Sequence, residues 1–291
     1  MRDYLHFDLA AKSVRRETLS GDQVARAGRY FIARTLVESG AATVDPLSTA
    51  NPLIFSAGPF AGTNFSNANR LSVGCRSPLT GGIKEANAGG TFGFALGQLS
   101  IAGFTLNGGC NEWSIIHIAL DGSVNFSPAD DYLGLSNFAC AAKLHKEFGK
   151  KVSLGLCGPV GEYQGLLSGI SFSDTDLRPA RLAARGGVGA VMGVKKVKAI
   201  VVDLNRMPDL HDRKKVIGAV KKYNALLKDD EIAQNMKLYG TALMADTQNY
   251  LGGLPTRNFS SGRLVDTDQE VFRLGGEFIR EQNIERGGET A

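Results

Sequence analysis

Residues 177–203 read LRPARLAARGGVGAVMGVKKVKAIVVD, and the organisation of the chain turns on that stretch. Two arginines, Arg181 and Arg185, stand four apart near its head. Small residues follow at Gly186, Gly187, Gly189, Ala190 and Gly193, then the lysines Lys195, Lys196 and Lys198, and the stretch closes in the apolar run AIVVD. Guanidinium groups offer fixed forks of donors to phosphate oxygens. Glycines let backbone N–H groups approach an anion with no side chain between. The combination reads as a cradle for a phosphorylated ligand leading onto a buried strand. The plainer alternative is a glycine-rich turn joining a helix to a strand.

Outward from it, residues 58–97 form a second glycine-rich concentration, GPFAGTNFSNANRLSVGCRSPLTGGIKEANAGGTFGFALG. Arg70 precedes a short apolar run there, and Asn87, Gly89 and Gly90 precede a predicted helix. Such a run either presents backbone N–H groups and a helix N-terminus to an anion or is an ordinary cap and turn. Gly58-Pro59 and Gly158-Pro159 each lead into an arginine-bearing, glycine-rich loop. This echo suggests a duplicated half-domain with two anion cradles side by side.

The bounds are broad. A chain of 291 residues holds one large domain or two smaller ones. Its 33 basic and 29 acidic residues leave a net charge of +4, too little to argue for nucleic acid. The opening MRDYLHFDLA carries charges where a signal peptide needs an apolar core, and no run approaches the roughly 20 apolar residues of a membrane span. Cys75, Cys110, Cys140 and Cys157 are scattered, with no CxxC pair or Cys/His cluster. That argues against a zinc site or a chain-internal iron–sulfur cluster and fits a reducing cytoplasm. Glycine, at 36 residues, is well above the usual share of about 7 per cent, as tight turns and close backbone approach require.

Alternation predicts an opening hairpin from residues 4–8 and 13–18, and strands at 53–57, 71–75, 104–108, 114–120, 124–126, 152–157 and 169–172. Asp121-Gly122 marks a second hairpin. Helical periodicity appears at 22–37 and 132–148, and beyond Asn205 at 214–227, 231–240 and 269–282.

Five runs then carry a resemblance to a known family. They are DPLSTANPLIFSAGPFAG at 45–62, NRLSVGCRSPLTGGIKEANAGGTFG at 69–93, GPVGE at 158–162, residues 181–203, and GTALMADTQNYLGGLPTRNF at 240–259. Together they resemble the N-terminal half of the aldehyde:ferredoxin oxidoreductases, tungsten (sometimes molybdenum) bis-pterin enzymes. The resemblance implies an α+β fold: an N-terminal domain over residues 1–204, built of two mixed β-sheets with approximate two-fold symmetry, and the start of a helical domain over 205–291. It implies two dithiolene-bearing pterins lying across those sheets, their phosphates bridged by magnesium. Family residues contacting the pterins match Arg70, Asn87, Gly89, Arg181, Leu182, Ala184 and Arg185. Arg70, Arg181 and Arg185 are expected to offset phosphate charge, Asn87 and Leu182 to lend backbone oxygens to magnesium, and Gly89 to allow close approach. The family usually has Ala at Leu182 and Gly at Ala184. Its Gly-Gly-Arg-Gly run survives here only as the central pair of Ala27-Gly28-Arg29-Tyr30.

The four-iron cluster ligands, the catalytic Glu and His and the second pterin-binding motif of the family are expected beyond residue 291. No catalytic residue is therefore assigned within the chain. Glu85, Glu112, Glu162 and His117 form no acid/base arrangement and are expected to be a turn carboxylate, a surface carboxylate, a loop cap and a strand histidine. The first reading implied is the pterin-binding subunit of a split oxidoreductase. A second chain would bring the cluster and catalytic residues, and ferredoxin or a similar carrier would take the electrons from an aldehyde or related carbonyl. The alternatives are a non-catalytic pterin carrier, scaffold or regulator, and a member that has lost its cofactor.

Overall fold

The computed structural model describes residues 1–266 and 272–289 and divides into two compact units, Met1–His211 and Asp212–Ala291. The first unit holds two six-stranded mixed sheets. One sheet contains β1 (Arg2–Asp8), β2 (Ser13–Leu19), β3 (Leu53–Ala57), β4 (Leu71–Arg76), β5 (Ile83–Ala88) and β6 (Ile101–Asn107), in the order β2-β1-β6-β3-β4-β5. The other contains β7 (Ser114–Ile118), β8 (Val124–Pro128), β9 (Val152–Cys157), β10 (Ile170–Phe172), β11 (Arg181–Ala183) and β12 (Val197–Asp203), in the order β8-β7-β12-β9-β10-β11. Each strand of the second sheet takes the place of the strand six before it. The directions repeat as well: β1 with β6 and β7 with β12 are the parallel pairs, and the other pairs are antiparallel. The expected two-fold repeat of mixed sheets is present.

The helices repeat in the same sense. Helix α2 (Arg29–Glu38) covers the outer face of the first sheet, where Ile32 and Leu36 pack on Ile54. Helix α4 (Asn137–Phe148) covers the second, with Cys140, Ala141 and Leu144 on Leu154, Leu156 and Val201. The core between the sheets draws Phe7, Phe55 and Phe104 from one and Ile116, Phe172 and Ile200 from the other. Strands β3 and β9 are buried on both faces, which is why LIFSA and VSLGLC run apolar without alternation. Each buried Phe removes enough apolar surface from water to contribute about 2–3 kcal/mol.

The two short helices α3 (Phe92–Gln98) and α6 (Val188–Val194) each cross loops of their own half at backbone distance. A Cβ on Gly97 would stand 2.0 Å from the Ala61 carbonyl carbon, and one on Gly193 would stand 1.9 Å from Gly161 O. A Cβ on Gly93 would stand 2.5 Å from Asn69 O, and one on Gly189 would stand 2.4 Å from Gly169 O. Ala61 and Gly161 each lie three residues after the Gly of a Gly-Pro turn, so the echo in the sequence marks the turns on which these helices rest.

Local glycine geometry corrects several expected boundaries. The helix expected at 22–37 is divided into α1 (Asp22–Ala25) and α2, because Gly28 has φ +65° and donates its N–H to Ser56 Oγ at 2.8 Å. The helix expected from 132 starts at Asn137, capped by Ser136, after Gly134 turns at φ +71°. Asn87 does not lead a helix: it lies in β5, and α3 starts at Phe92. The strands expected at 104–108 and 114–120 fall in different sheets, so residues 108–113 link the halves. The opening stretch holds β11 and α6 as well as the expected strand β12.

Of the three lysines that lead into β12, Lys195 and Lys198 are wholly buried. Lys195 Nζ donates to Thr49 O at 3.0 Å and Gly108 O at 2.9 Å, tying the link between halves to the corner after α6. Lys198 donates to Cys157 O at 2.8 Å and pairs with Glu162. Burial pushes the Lys195 ammonium down to about 8.

The second unit contains α7 (Arg213–Asp229), α8 (Glu231–Tyr239), α9 (Leu243–Leu251) and α10 (Gly276–Glu285). Residues 269–271 of the helix expected at 269–282 lie outside the described residues, and α10 starts at Gly276. Among the described residues, Val220 is the one hydrophobic residue of this unit that is buried, and it keeps 8% exposure. Among them, too, no helix is long and apolar enough to cross a membrane.

Gly193→Ala is expected to lower the unfolding free energy by roughly 2–3 kcal/mol, because its methyl meets backbone rather than a flexible side chain. Gly218→Ala on α7, which meets nothing within 4 Å, is expected to cost nothing. Urea titration of both variants checks the pair, and equal stabilities would contradict the crossing. A second expectation concerns pH. Lys195 binds its proton less tightly in the folded than in the unfolded protein, so the unfolded state carries more protons between about pH 8 and 10.5. Stability relative to Lys195→Met should therefore rise across that window by about 3 kcal/mol; a difference independent of pH would overturn the assignment.

Candidate functional site

Strands β5 and β11 are the last strands of their sheets and run beside each other at the junction of the halves. Register fixes which of their residues are equivalent. Ser72 of β4 pairs with Asn87, and Ser171 of β10, the matching strand, pairs with Leu182. Asn87 and Leu182 are therefore two-fold mates, and Gly89 and Ala184 follow each of them by two residues. The guanidinium groups do not share this symmetry: the position of Arg70 corresponds to Gly169, ahead of β10, and that of Arg185 to Gly90.

A cavity of about 710 Å³ opens over this junction. Five of the seven residues named from the sequence line it: Arg70, Asn87, Leu182, Ala184 and Arg185. Gly89 lies at its edge, where a Cβ would stand 3.7 Å from Arg70 Nη1. Arg181 is placed outside the lining, exposed at the head of β11, with its side chain against Gly90. Gly90 has φ +97°, and a Cβ there would stand 2.3 Å from Ser173 O and 3.0 Å from Arg181 Cγ. The glycine is thus required by both backbone conformation and space.

The lining also includes Arg29, Lys84 and Glu85, which sequence reasoning left out. The retained Gly-Arg pair at 28–29 was the available signal for Arg29, since Gly28 turns the chain and Arg29 opens α2 over the sheet. The expectation of a turn carboxylate at Glu85 is corrected: it is on β5, its side chain only 10% exposed, with Oε1 accepting from Ser72 Oγ at 2.7 Å and Asn87 Nδ2 at 3.4 Å. Its Oε2 meets Arg29 Nη2 at 3.4 Å. Asn87 also donates to Ser72 Oγ at 3.3 Å and accepts from Arg70 Nε. The lining therefore holds four basic side chains against one carboxylate. Among the described residues, Arg70, Lys84 and Arg185 have no carboxylate partner. A cavity of this size and charge suits an organic ligand carrying phosphate.

The other groups considered stand apart from it. Glu112 is exposed. Glu162 accepts from Gly134 N at 2.9 Å, as a loop cap would, and pairs with Lys198. His117 meets Asp203 Oδ1 at 2.8 Å and rests edge-on against Phe148. The four cysteines are buried, and burial pushes the Cys75 and Cys157 thiols up to about 12, far from thiolate ligands. Among the described residues, no group of His, Cys, Asp and Glu is placed to hold a metal ion.

Residues 4–204 match the model of the aldehyde ferredoxin oxidoreductase N-terminal domain. The chain is 36% identical over 222 residues to the tungsten-containing aldehyde ferredoxin oxidoreductase of Pyrococcus furiosus, covering 76% of this chain and 36% of the relative. It is 25% identical over 239 residues to the aliphatic sulfonate oxidoreductase, WOR-like subunit, of the same organism, covering 75% of this chain and 37% of that protein. Among solved structures, the active site complex BamBC of benzoyl coenzyme A reductase with 1,5 dienoyl-CoA superposes with a TM-score of 0.78 at 23% identity, over 98% of this chain and 45% of the other. The chain thus spans a little over a third of the length of these curated relatives.

Proposed function

The chain belongs to the aldehyde ferredoxin oxidoreductase family, and on that premise we propose that residues 1–204 are the pterin-binding portion of a tungsten or molybdenum oxidoreductase, with 205–291 beginning its helical portion. The observation that carries the reading is the cavity over β5 and β11, where two backbone positions related by the internal two-fold, Asn87 and Leu182, meet a surplus of arginine. A ligand made of two like halves joined at their phosphates has the symmetry of that backbone.

The donor set fits. Arg70 and Arg185, free of carboxylates, offset phosphate charge, and Arg181 adds a third guanidinium from beside Gly90. The backbone oxygens of Asn87 and Leu182 would suit a magnesium ion, which takes oxygen ligands and is held largely by phosphate. Gly89 and Ala184 keep the floor low. Bound there, a bis-pterin tungsten or molybdenum centre supplies two-electron oxidation of an aldehyde or related carbonyl to the acid. This chain binds and orients; the proton-handling groups and the iron–sulfur cluster that passes electrons to ferredoxin come from a second polypeptide portion. The relative named as a subunit and the neighbour solved as a complex support that division.

Replacing Arg181 and Arg185 together by alanine is expected to remove at least nine-tenths of the tungsten or molybdenum from natively purified protein, with the unfolding midpoint unchanged. Elemental analysis alongside thermal unfolding checks this. Unchanged metal content in a folded double variant would sink the cradle.

A further inference from the structure

Within a cavity whose other charged lining groups are all cations, one carboxylate is held on both of its oxygens. Glu85 is fixed by Ser72 and Asn87 through Oε1 and by Arg29 through Oε2. Of the three cavity arginines it binds Arg29 directly and orients Arg70 through the Asn87 amide, whose nitrogen faces Glu85 and whose oxygen faces Arg70. A bare phosphate beside Glu85 meets like charge there, and to engage Arg29 as well as the unpaired Arg70, Lys84 and Arg185 it must draw that guanidinium from its partner. A phosphate carrying a divalent cation brings the opposite charge to the same place. Oε2 has its one contact at 3.4 Å, and a carboxylate has about four acceptor sites, so Oε2 keeps capacity for a cation or its water.

We propose that Glu85 is the specificity-determining residue of the cavity, making it selective for phosphate that arrives with a divalent cation over free phosphate. The inference rests on the reading of the cavity as a phosphate cradle and adds to it a discriminating group. Arg29, most of its side chain in solvent, is the counterpart that moves between Glu85 and the ligand.

The test is calorimetric titration of the full chain with inorganic pyrophosphate, in excess magnesium and in excess chelator, at low salt. The forms compared are wild type, Glu85→Gln and Arg29→Gln, with unfolding midpoints recorded for each. Wild type is expected to bind magnesium pyrophosphate at least tenfold more tightly than free pyrophosphate. Glu85→Gln removes the repulsion and should tighten free pyrophosphate about tenfold, shrinking the preference to under threefold. Arg29→Gln, a change at an exposed side chain, leaves Glu85 unbalanced and should weaken free pyrophosphate about tenfold while changing the magnesium complex less. If Glu85→Gln keeps the wild-type preference, the discriminating role is overturned and the cradle stands. If no form binds pyrophosphate under either condition, the cradle falls and the inference with it.

Discussion

The first unit depends on backbone meeting backbone where α3 and α6 cross the Gly-Pro turns. Four glycines, two in each helix, stand where any Cβ would lie within about 2.5 Å of a carbonyl group. Side chains cannot be interposed there, so the helices sit deep enough for both sheets to close on one core. Glycine costs a helix about 1 kcal/mol per residue relative to alanine, which the buried contacts of Phe92, Val188, Val191 and Met192 offset.

A symmetric backbone decorated by asymmetric side chains is the second theme. Register makes Asn87 and Leu182 equivalent, and both sit opposite a serine. Around them the halves differ. On one side Ser72 supports a carboxylate and an amide; on the other Ser171 accepts from Asn137. Two chemically alike halves of a ligand would thus meet the same main chain but different charges, so the two ends of the site need not bind alike. The repeat supplies the geometry and its divergence supplies the chemistry.

Much of this was legible in the sequence. Apolar runs such as LIFSA, VSLGLC and AIVVD read correctly because burial on both faces leaves no polar residue to obscure them. The repeated Gly-Pro pair correctly announced a duplication. Strand β5 was missed because IKEANA puts its polar residues on the cavity side, so it lacks the apolar signature by which strands are found. Helix α6 was missed because VGAVMGV carries two glycines that weaken any helical propensity and that only tertiary contact explains. The burial of Lys195 and Lys198 was not legible because sequence shows a charge and not the carbonyls that surround it. Glu85 was passed over for a related reason: its partners Ser72 and Arg29 lie 13 and 56 residues away and meet it only through pairing and packing.

The link at residues 108–113 has a consequence for assembly of the chain. The halves share one hydrophobic core, so neither buries its inner sheet face alone, and their matching topologies offer each half a rival partner in another molecule. A link of six residues keeps the resident half within reach. Lys195 fastens that link by one carbonyl and the turn before β3 by another, and Lys196 reaches Asn111 O at 2.8 Å. These two lysines hold the tether in the turn that returns the chain upon itself, so the contacts that close the core are reached over a short loop.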